Sequence, residues 1–288
     1  MGVVTAPQVF KISYRPEGVT NILFADVACY ATAHGWPFAI VGPEGMKPAI
    51  LLQRVKSWRP DVIIVAGWYH MVPRAWREIA PAFGLHASLL PDYSGGAPLV
   101  WAIINGEKRT GISLFQLSDG VDNGPILGQA ATEIGDDDTI ATVYARIEDL
   151  GVELLRTHLP QLADGTAKLH IQDEAGRRLV PQRSPEDGLI NWNWSAARVY
   201  NFIRAQTKPY PGAFADCGQK RLTIWRADMA GRRAGTLPGR ARSSDGRVFV
   251  GCGEETEVEI LEAAVDGVET SVTVTSKMLS FLCPPVMH

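Results

Sequence analysis

The sequence has 288 residues, of which 46% are hydrophobic and 20% are charged, and its formal net charge is −3. This length allows one large domain, or a larger domain followed by a smaller one. The slight negative charge excludes the global basic field of a nucleic-acid-binding protein. Five arginines could still form a local basic patch, although a solvated surface is the simpler interpretation: Arg232, Arg233, Arg240, Arg242 and Arg247.

Strands and helices are predicted to alternate in the first third of the chain. Residues 1–6, 36–41 and 61–66 predict strands, and the last of these is an unbroken apolar run, typical of a strand covered on both faces. Helices are predicted at 21–34, which Gly35 ends, and at 48–58, whereas residues 8–20 predict an irregular loop. This alternation indicates an α/β fold with a doubly wound parallel sheet, in which loops that follow strands meet at one edge and bind ligands there.

Further elements follow in order: a helix at 98–105, a strand at 111–117 and a helix at 139–157. Three aspartates at 136–138 precede the last helix, where they either cap it or, less simply, bind a metal. The segment 186–204 predicts a short strand carrying Trp192 and Trp194, then a helix from Ser195. From Gly212 onward, short alternating runs separated by turns indicate a small β-rich domain, so we predict domains at 1–208 and 209–288.

The cysteines and the hydropathy pattern bear on location. The four cysteines lie far apart without metal-ligand spacing. No stretch approaches the roughly 20 apolar residues of a membrane helix, and the start lacks a secretion signal pattern. We therefore expect a cytoplasmic protein with no membrane contact and no metal.

Two ionisable residues between 84 and 129 are the candidate catalytic groups. His86 and Asp122 each lie beside turn-forming residues, in the predicted loops 85–96 and 118–125. A carboxylate beside an imidazole fixes its tautomer and stabilises its protonated form, so the pair can shuttle a proton or face a developing oxyanion. Ser88 raises the rival hypothesis of a Ser/His/Asp hydrolase, but no G-x-S-x-G turn surrounds any serine. The phosphate-binding motifs G-x-x-x-x-G-K-[ST] and G-x-G-x-x-G are also absent.

Several sequence blocks resemble the folate-dependent formyltransferases, which include methionyl-tRNA formyltransferase and the sugar N-formyltransferases. These blocks are AGWYHMVP, HASLLP, GGAPLVWAIINGE, TGISLFQLSDGVDNGPILGQ and KPYPGAF. The resemblance implies a Rossmann-like domain, a small β-rich C-terminal domain and 10-formyltetrahydrofolate as co-substrate. It places His86 on the family's catalytic histidine and Asp122 on its aspartate. Folate contacts would then involve Trp68, Tyr69, His70, Met71, Val72, Leu117, Gly120 and Val121, and acceptor contacts Ser88, Ser94 and Gly95.

The sequence departs from the family pattern in three places. The family's catalytic asparagine is Gly84 here, and such a donor is worth about 3–4 kcal/mol of barrier. Either another group replaces it, such as Asn123, a water or a backbone amide, or the chemistry is weaker or different. The family's usual arginine is Ser94. The family's strand and helix before the segment matching residues 2–6 are missing, so the start is either truncated or filled by something else.

The resulting hypothesis is transfer of a formyl group to a primary amine of a small molecule, with a nucleotide-linked amino sugar favoured over a hydroxylated ornithine or similar amino acid. Methionyl-tRNA is the main alternative acceptor, and it alone would make nucleic acid a partner. A catalytically weak folate-binding homologue and a hydrolase that uses water as acceptor are also left open. So is a homodimer.

Overall fold

The computed structural model describes residues 1–12 and 15–270 of the chain. It forms two compact units. The first unit comprises Met1–Ser94, Gly111–Ala131 and Asp149–Arg178, and the second comprises Gly95–Thr110, Thr132–Glu148 and the chain from Leu179. The domain division after residue 208 stays a prediction.

The elements alternate between strand and helix until residue 164 and are mainly strands afterwards. The first ten are β1 (Val3–Thr5), β2 (Val9–Ile12), β3 (Arg15–Thr20), α1 (Val27–Ala33), β4 (Phe38–Ile40), α2 (Ala49–Ser57), β5 (Ile63–Val65), α3 (Arg74–Arg77), β6 (Ala82–His86) and β7 (Ser94–Gly95). Next come α4 (Pro98–Ile104), β8 (Arg109–Gln116), β9 (Ile126–Glu133), α5 (Ile140–Asp164), β10 (Leu179–Val180) and α6 (Ala196–Arg204). The last six are β11 (Ala213–Cys217), β12 (Lys220–Arg232), β13 (Ala241–Ser244), β14 (Arg247–Gly251), β15 (Thr256–Val265) and β16 (Val268–Thr270).

The sheets of the first unit confirm the α/β class but are not wholly parallel. β1 pairs with β4 in parallel, and a separate sheet has the order β5-β6-β8-β9. Within it β5 and β6 are parallel, whereas β8 runs antiparallel to β6, with Ser113 opposite His86 and Gln116 opposite Phe83. The prediction of a fully parallel sheet was wrong here, because residues 87–108 return the chain to the end of β6 that it had just left.

The predicted irregular loop at 8–20 was also wrong, since β2 and β3 pair as an antiparallel hairpin. Phe10 is buried whereas Val9 is 61% exposed, which is the alternation of a half-buried strand. The Phe10 ring packs against those of Tyr69 and His70, with centroids 5.1 Å and 5.8 Å apart. This contact favours an ordered strand over the loop that Pro16 and Gly18 indicated.

Most other elements of the first unit and of the chain up to residue 164 match their predictions. The predicted strands at 36–41, 61–66 and 111–117 are present as β4, β5 and β8, and the predicted helices at 48–58, 98–105 and 139–157 as α2, α4 and α5. The predicted helix at 21–34 is shorter and forms only from Val27 to Ala33, because the Asp26 carboxylate accepts the Cys29 N–H and begins it there. On α5, Ile140, Val143 and Ile147 lie on one buried face.

The β-rich part of the second unit is a six-stranded antiparallel sheet. Its order is β11-β12-β15-β14-β13, with β16 beside β15. Asp245 and Gly246 have φ angles of 52° and 73° in the two-residue turn between β13 and β14, as their sequence predicts. The predicted strand run at 270–275 lies, after Thr270, outside the described residues, as does Cys283.

The predicted strand around the two tryptophans was wrong. The Asn191 carboxamide oxygen accepts from the Asn193 N–H, and Trp194 N–H donates to the Asn191 carbonyl, so the segment turns. Both tryptophan carbonyls then accept from Gly253 N–H, at 3.0 Å and 2.7 Å. Trp192 is nevertheless buried, as core residues are, and α6 begins after Ser195 as predicted.

Charged clusters in the second unit are paired within it. Asp138 accepts the Gly135 N–H and lies 2.5 Å from Arg146, which fits the capping interpretation of the acidic run. Arg242 lies 2.5 Å from Glu257, and Arg247 pairs with a neighbouring glutamate, Glu259. Across residues 1–12 and 15–270, no three histidine, cysteine or acidic side chains lie together in a way that could hold a metal ion. Over the same residues, no helix is both long and apolar enough to span a membrane.

Candidate active site

The candidate catalytic histidine stands at the end of a strand whose parallel neighbour leads into the candidate folate loop. β5 and β6 run side by side, with Val65 opposite Gly84. His86 ends β6, and residues 66–73 follow β5, so both lie at the carboxyl ends of adjacent parallel strands. Ligands of open α/β sheets bind at such an edge.

The His86 ring lies between two acceptors. Its Nε2 is 2.9 Å from the Tyr93 carbonyl oxygen, which can only accept, so Nε2 carries a proton. On the other side, Nδ1 lies 3.5 Å from Asp122 Oδ2. The two side chains are 11% and 23% exposed, respectively. The ring is therefore held by one carbonyl and faces one carboxylate.

Asp122 reaches His86 through a loop that folds back along the sheet. β8 ends at Gln116, opposite Phe83, which is three residues before His86 or about 10 Å along the strand. The loop 117–125 is closed at its base, where the Gln116 N–H donates to the Pro125 carbonyl at 2.8 Å. Asp122 has a φ of 50°, which only a few residue types other than glycine adopt readily, aspartate among them. The sequence-predicted pair is therefore together, although by a fold-back of the loop and not by the edge rule for parallel strands.

The predicted folate loop divides into buried and exposed positions. Trp68 and Val72 pack against a core cluster that includes Met46, and Trp68 Nε1–H donates to the Met46 sulfur at 3.2 Å. Tyr69 and Met71 are 44% and 64% exposed, although the Tyr69 ring packs against Phe10 and its hydroxyl donates to Asn21 Oδ1 at 3.3 Å. Desolvation raises the pKa of the Tyr69 phenol and lowers that of His70, its neighbour in the loop.

The three residues predicted to contact the acceptor occupy a tightly bonded turn. Ser88 Oγ donates to the Asp92 carbonyl at 2.7 Å, and Ser94 Oγ donates to the Pro91 carbonyl at 3.0 Å. Both serines are buried. Gly95, in the second unit, has a φ of 103°, and a Cβ there would lie 2.4 Å from the Val180 carbonyl oxygen. These interactions shape the backbone, and contact of the three residues with an acceptor stays a prediction.

The space beside Gly84 is occupied by apolar side chains. A Cβ at this position would lie 2.9 Å from Leu117 Cδ2 and 3.1 Å from Phe115 Cε1. Asn123, one of the candidate replacements for the missing donor, lies inside its own loop. Its Oδ1 accepts from Ser118 Oγ at 2.5 Å, and its amide would lie 2.5 Å from a Cβ at Gly120. Asn123 therefore braces the loop from within.

Several residues that the sequence patterns did not single out hold these loops. Arg77 Nε–H donates to the Val72 carbonyl at 3.4 Å, and the same guanidinium is paired with Asp119, whose pKa it lowers. Arg77 thus joins the candidate folate loop to the loop of Asp122. Tyr93, Gln172 and Arg177 complete the set, each through a backbone carbonyl or amide with no motif to mark it in the sequence.

Two family models match the sequence. One, described as formyl transferase, matches residues 22–159, and the other, formyl transferase C-terminal domain, matches residues 183–272. The chain belongs to the formyltransferase family. This confirms the family recognised from the sequence blocks and, with the fold above, the Rossmann-like domain followed by a β-rich part.

Several solved structures have a fold similar to that of this chain. HypX from Aquifex aeolicus in complex with tetrahydrofolic acid has a TM-score of 0.66 at 18% identity, over 96% of this chain and 47% of its own. The chain therefore spans about half the length of HypX. Methionyl-tRNA formyltransferase from Clostridium thermocellum gives 0.56 at 20% identity, over 91% and 99%. The N-formyltransferase from Helicobacter canadensis with folinic acid and dTDP-3-aminofucose gives 0.60 at 14%, over 90% and 98%. At these identities the likeness shows a shared fold.

Proposed function

We propose that this formyltransferase transfers the formyl group of 10-formyltetrahydrofolate to a primary amine of a small molecule, a nucleotide-linked amino sugar. The observation that carries the proposal is the half-buried pair of His86 and Asp122 at the end of β6, beside the loop that follows β5. The amino-sugar class is supported by the segments APLVWAIINGE and TKPYPGAF, which resemble the sugar-type enzymes more than the tRNA-type enzymes. The Helicobacter canadensis structure, which holds folinic acid and dTDP-3-aminofucose, is one precedent on this fold.

The residues around the pair fit a folate. Tyr69 and Met71 offer exposed aromatic and apolar surface, and Phe115 and Leu117 cover Gly84 with an apolar wall. A flat ring between apolar walls with a few backbone bonds is the usual form of such a slot. We propose that the remaining contacts come from the same two loops, through Trp68, His70, Val72, Gly120 and Val121, and that Ser88, Ser94 and Gly95 border the acceptor.

The catalytic roles follow from the ring geometry. When bound, 10-formyltetrahydrofolate supplies an activated formyl carbon and a nitrogen leaving group. The Tyr93 carbonyl holds His86 by Nε2–H, which leaves Nδ1 as the ring atom that can exchange a proton with a reacting group. Asp122 lies 3.5 Å from Nδ1, where its carboxylate would stabilise positive charge that develops on the ring when Nδ1 takes up a proton.

Gly84 favours a second candidate function, a homologue that binds folate but turns over weakly. The position of the family's asparagine has no side chain, and Leu117 lies where a replacement would begin. A missing oxyanion donor of this kind costs about 10²–10³ in rate. Binding would survive this loss because it rests on the apolar walls and the backbone.

The deciding experiment measures tetrahydrofolate release from 10-formyltetrahydrofolate, with a panel of nucleotide-linked amino sugars, N-hydroxyornithine and methionyl-tRNA. We expect release that depends on an amino sugar and changes little between 50 and about 200 mM salt. Release that depends on methionyl-tRNA, with steep loss of affinity over the same range, would reassign the acceptor. Release without any amine would indicate a hydrolase, and folate binding without release would favour the weak homologue.

A further inference from the structure

Gln172 lies outside the sequence motifs yet bonds directly to the loop that carries Asp122. It is buried, with 7% of its surface exposed, in the segment between α5 and β10. Its Nε2 donates to the Asp122 carbonyl at 2.8 Å and to the Gly124 carbonyl at 2.6 Å. Because both partners are carbonyls, the side chain must present its NH₂ group to the loop.

Both bonds fall on the backbone around the candidate catalytic carboxylate. Arg177, five residues further along, donates from Nη2 to the Val121 carbonyl, so three carbonyls of the loop accept from one segment. Asp122 holds a positive φ of 50°, a conformation that its surroundings must maintain. The carbonyl bonded by Gln172 is that of Asp122 itself, so the bond restrains the peptide group from which the carboxylate projects.

We propose that Gln172 is a positioning residue, which sets the distance between the Asp122 carboxylate and His86 Nδ1. This inference deepens the proposed function and rests on it for the catalytic consequence. Removing both donors lets the loop backbone relax, and Asp122 then moves relative to the ring. Displacement of a catalytic group by about 1 Å can cost on the order of 10² in rate.

The test compares Gln172→Leu and Gln172→Glu with a matched control, Gln206→Leu. Gln206 is also 7% exposed and makes two hydrogen bonds, donating to the Phe202 carbonyl and accepting from Arg183, but within the second unit. Gln172→Glu keeps the side-chain shape and replaces the donors with a carboxylate facing two carbonyls. It is the second variant if Gln172→Leu fails to fold.

Two readouts separate positioning from general destabilisation. The first is the imidazole Cε1–H resonance of His86 by NMR, assigned with His86→Ala, which needs no turnover. The second is the separate measurement of kcat and of KM for 10-formyltetrahydrofolate, with the acceptor that the tetrahydrofolate-release experiment identifies. We expect both Gln172 variants to shift the His86 resonance and to lower kcat about 10–100-fold, with KM for 10-formyltetrahydrofolate within about threefold of wild type. Gln206→Leu should change neither.

The outcomes distinguish this inference from the proposed function. An unshifted His86 resonance in folded Gln172 variants would overturn the positioning role, as would an unchanged kcat. If the wild-type protein releases no tetrahydrofolate but the Gln172 variants still shift the His86 resonance, the positioning of Asp122 by Gln172 is upheld and the proposed formyl transfer is rejected. Equal effects of Gln172→Leu and Gln206→Leu on the resonance would reduce the role of Gln172 to general stability.

Discussion

Gly84→Asn is the substitution that most directly probes the candidate site, because the sequence resemblance places the family's asparagine at this position. Residues 84 and 86 alternate with Leu85 on β6, so their side chains point to the same face of the sheet. An amide side chain at position 84 would therefore lie on the same face of the sheet as His86, where it could donate a second hydrogen bond to a developing oxyanion. Its Cβ, however, would lie 2.9 Å from Leu117 Cδ2.

The structure sets the sizes of the two opposing effects. Leu117 Cδ2 is the far end of a flexible side chain and can move, but Phe115 Cε1 at 3.1 Å lies on a ring within β8. Overpacking of this kind costs about 1–3 kcal/mol of stability. A restored oxyanion donor is worth about 3–4 kcal/mol of barrier, or 10²–10³ in rate. We expect Gly84→Asn to be less stable than wild type and at least about tenfold faster in formyl transfer, since partial crowding lowers the gain.

The assay pairs urea unfolding with tetrahydrofolate release, and Gly84→Ala is the control. Alanine adds the same Cβ without a donor, so it should share the loss of stability and none of the gain in rate. Adding Leu117→Val to each variant relieves the crowding and should recover part of the stability. A Gly84→Asn protein no faster than Gly84→Ala, with or without the relief at Leu117, would refute the idea that position 84 is a vacant donor position.

Three further outcomes are expected. His86→Ala and Asp122→Ala should each lower turnover by at least about 10², while circular dichroism and the urea midpoint stay near those of wild type, and full activity in either variant would remove it from the catalytic pair. Burial raises the pKa of the Cys252 thiol from 9.0 to about 12, so the stability that it contributes is complete below pH 9 and is lost as the pH rises toward 12. Wild type should therefore lose about 2 kcal/mol more than Cys252→Ala between pH 8 and 10.5, and parallel stability curves would contradict this. The hydrogen bond from Arg242 lowers the pKa of Glu257, so the stability that this carboxylate contributes is present at neutral pH and is lost as the pH falls through that lowered pKa. Glu257→Gln should cost about 1–3 kcal/mol at pH 7, measured by urea unfolding, and progressively less as the pH falls.

The alternation of strands and helices and the pairing of His86 with Asp122 could be predicted from the sequence, because apolar periodicity and turn residues are local signals. The direction of β8 could not be predicted in this way. The run that forms β8 is apolar in either orientation, and only the register of Ser113 against His86 shows that it is antiparallel. The prediction that His86 and Asp122 lie together is therefore correct, but their contact arises from the fold-back of the loop 117–125 and not from parallel strands.

The contacts that hold the site loops in place could not be predicted from the sequence for a different reason. Gln172 and Asp122 are 50 residues apart, and their contact joins a side chain to a backbone carbonyl, which leaves no preference for residue type at the partner. Arg77 and Asp119 form an ion pair between side chains 42 residues apart, a separation that no local pattern in the sequence reveals. Phe10 could have been found, since Val9 and Phe10 begin an apolar alternation, but the nearby proline and glycine indicated a loop instead.

Because its base is closed by hydrogen bonds, the loop 117–125 could be exchanged as one unit. The Gln116–Pro125 hydrogen bond and the bond from Leu117 N–H to the Ala82 carbonyl, each 2.8 Å, anchor both ends to the sheet. A loop exchanged as a whole between these anchors would leave the strand register unchanged, provided that it supplies its own partners for Arg77, Gln172 and Arg177. Diversification of chemistry on this scaffold can therefore proceed by loop replacement, and grafting the corresponding loop of another formyltransferase is a route to redesign that leaves the sheet intact.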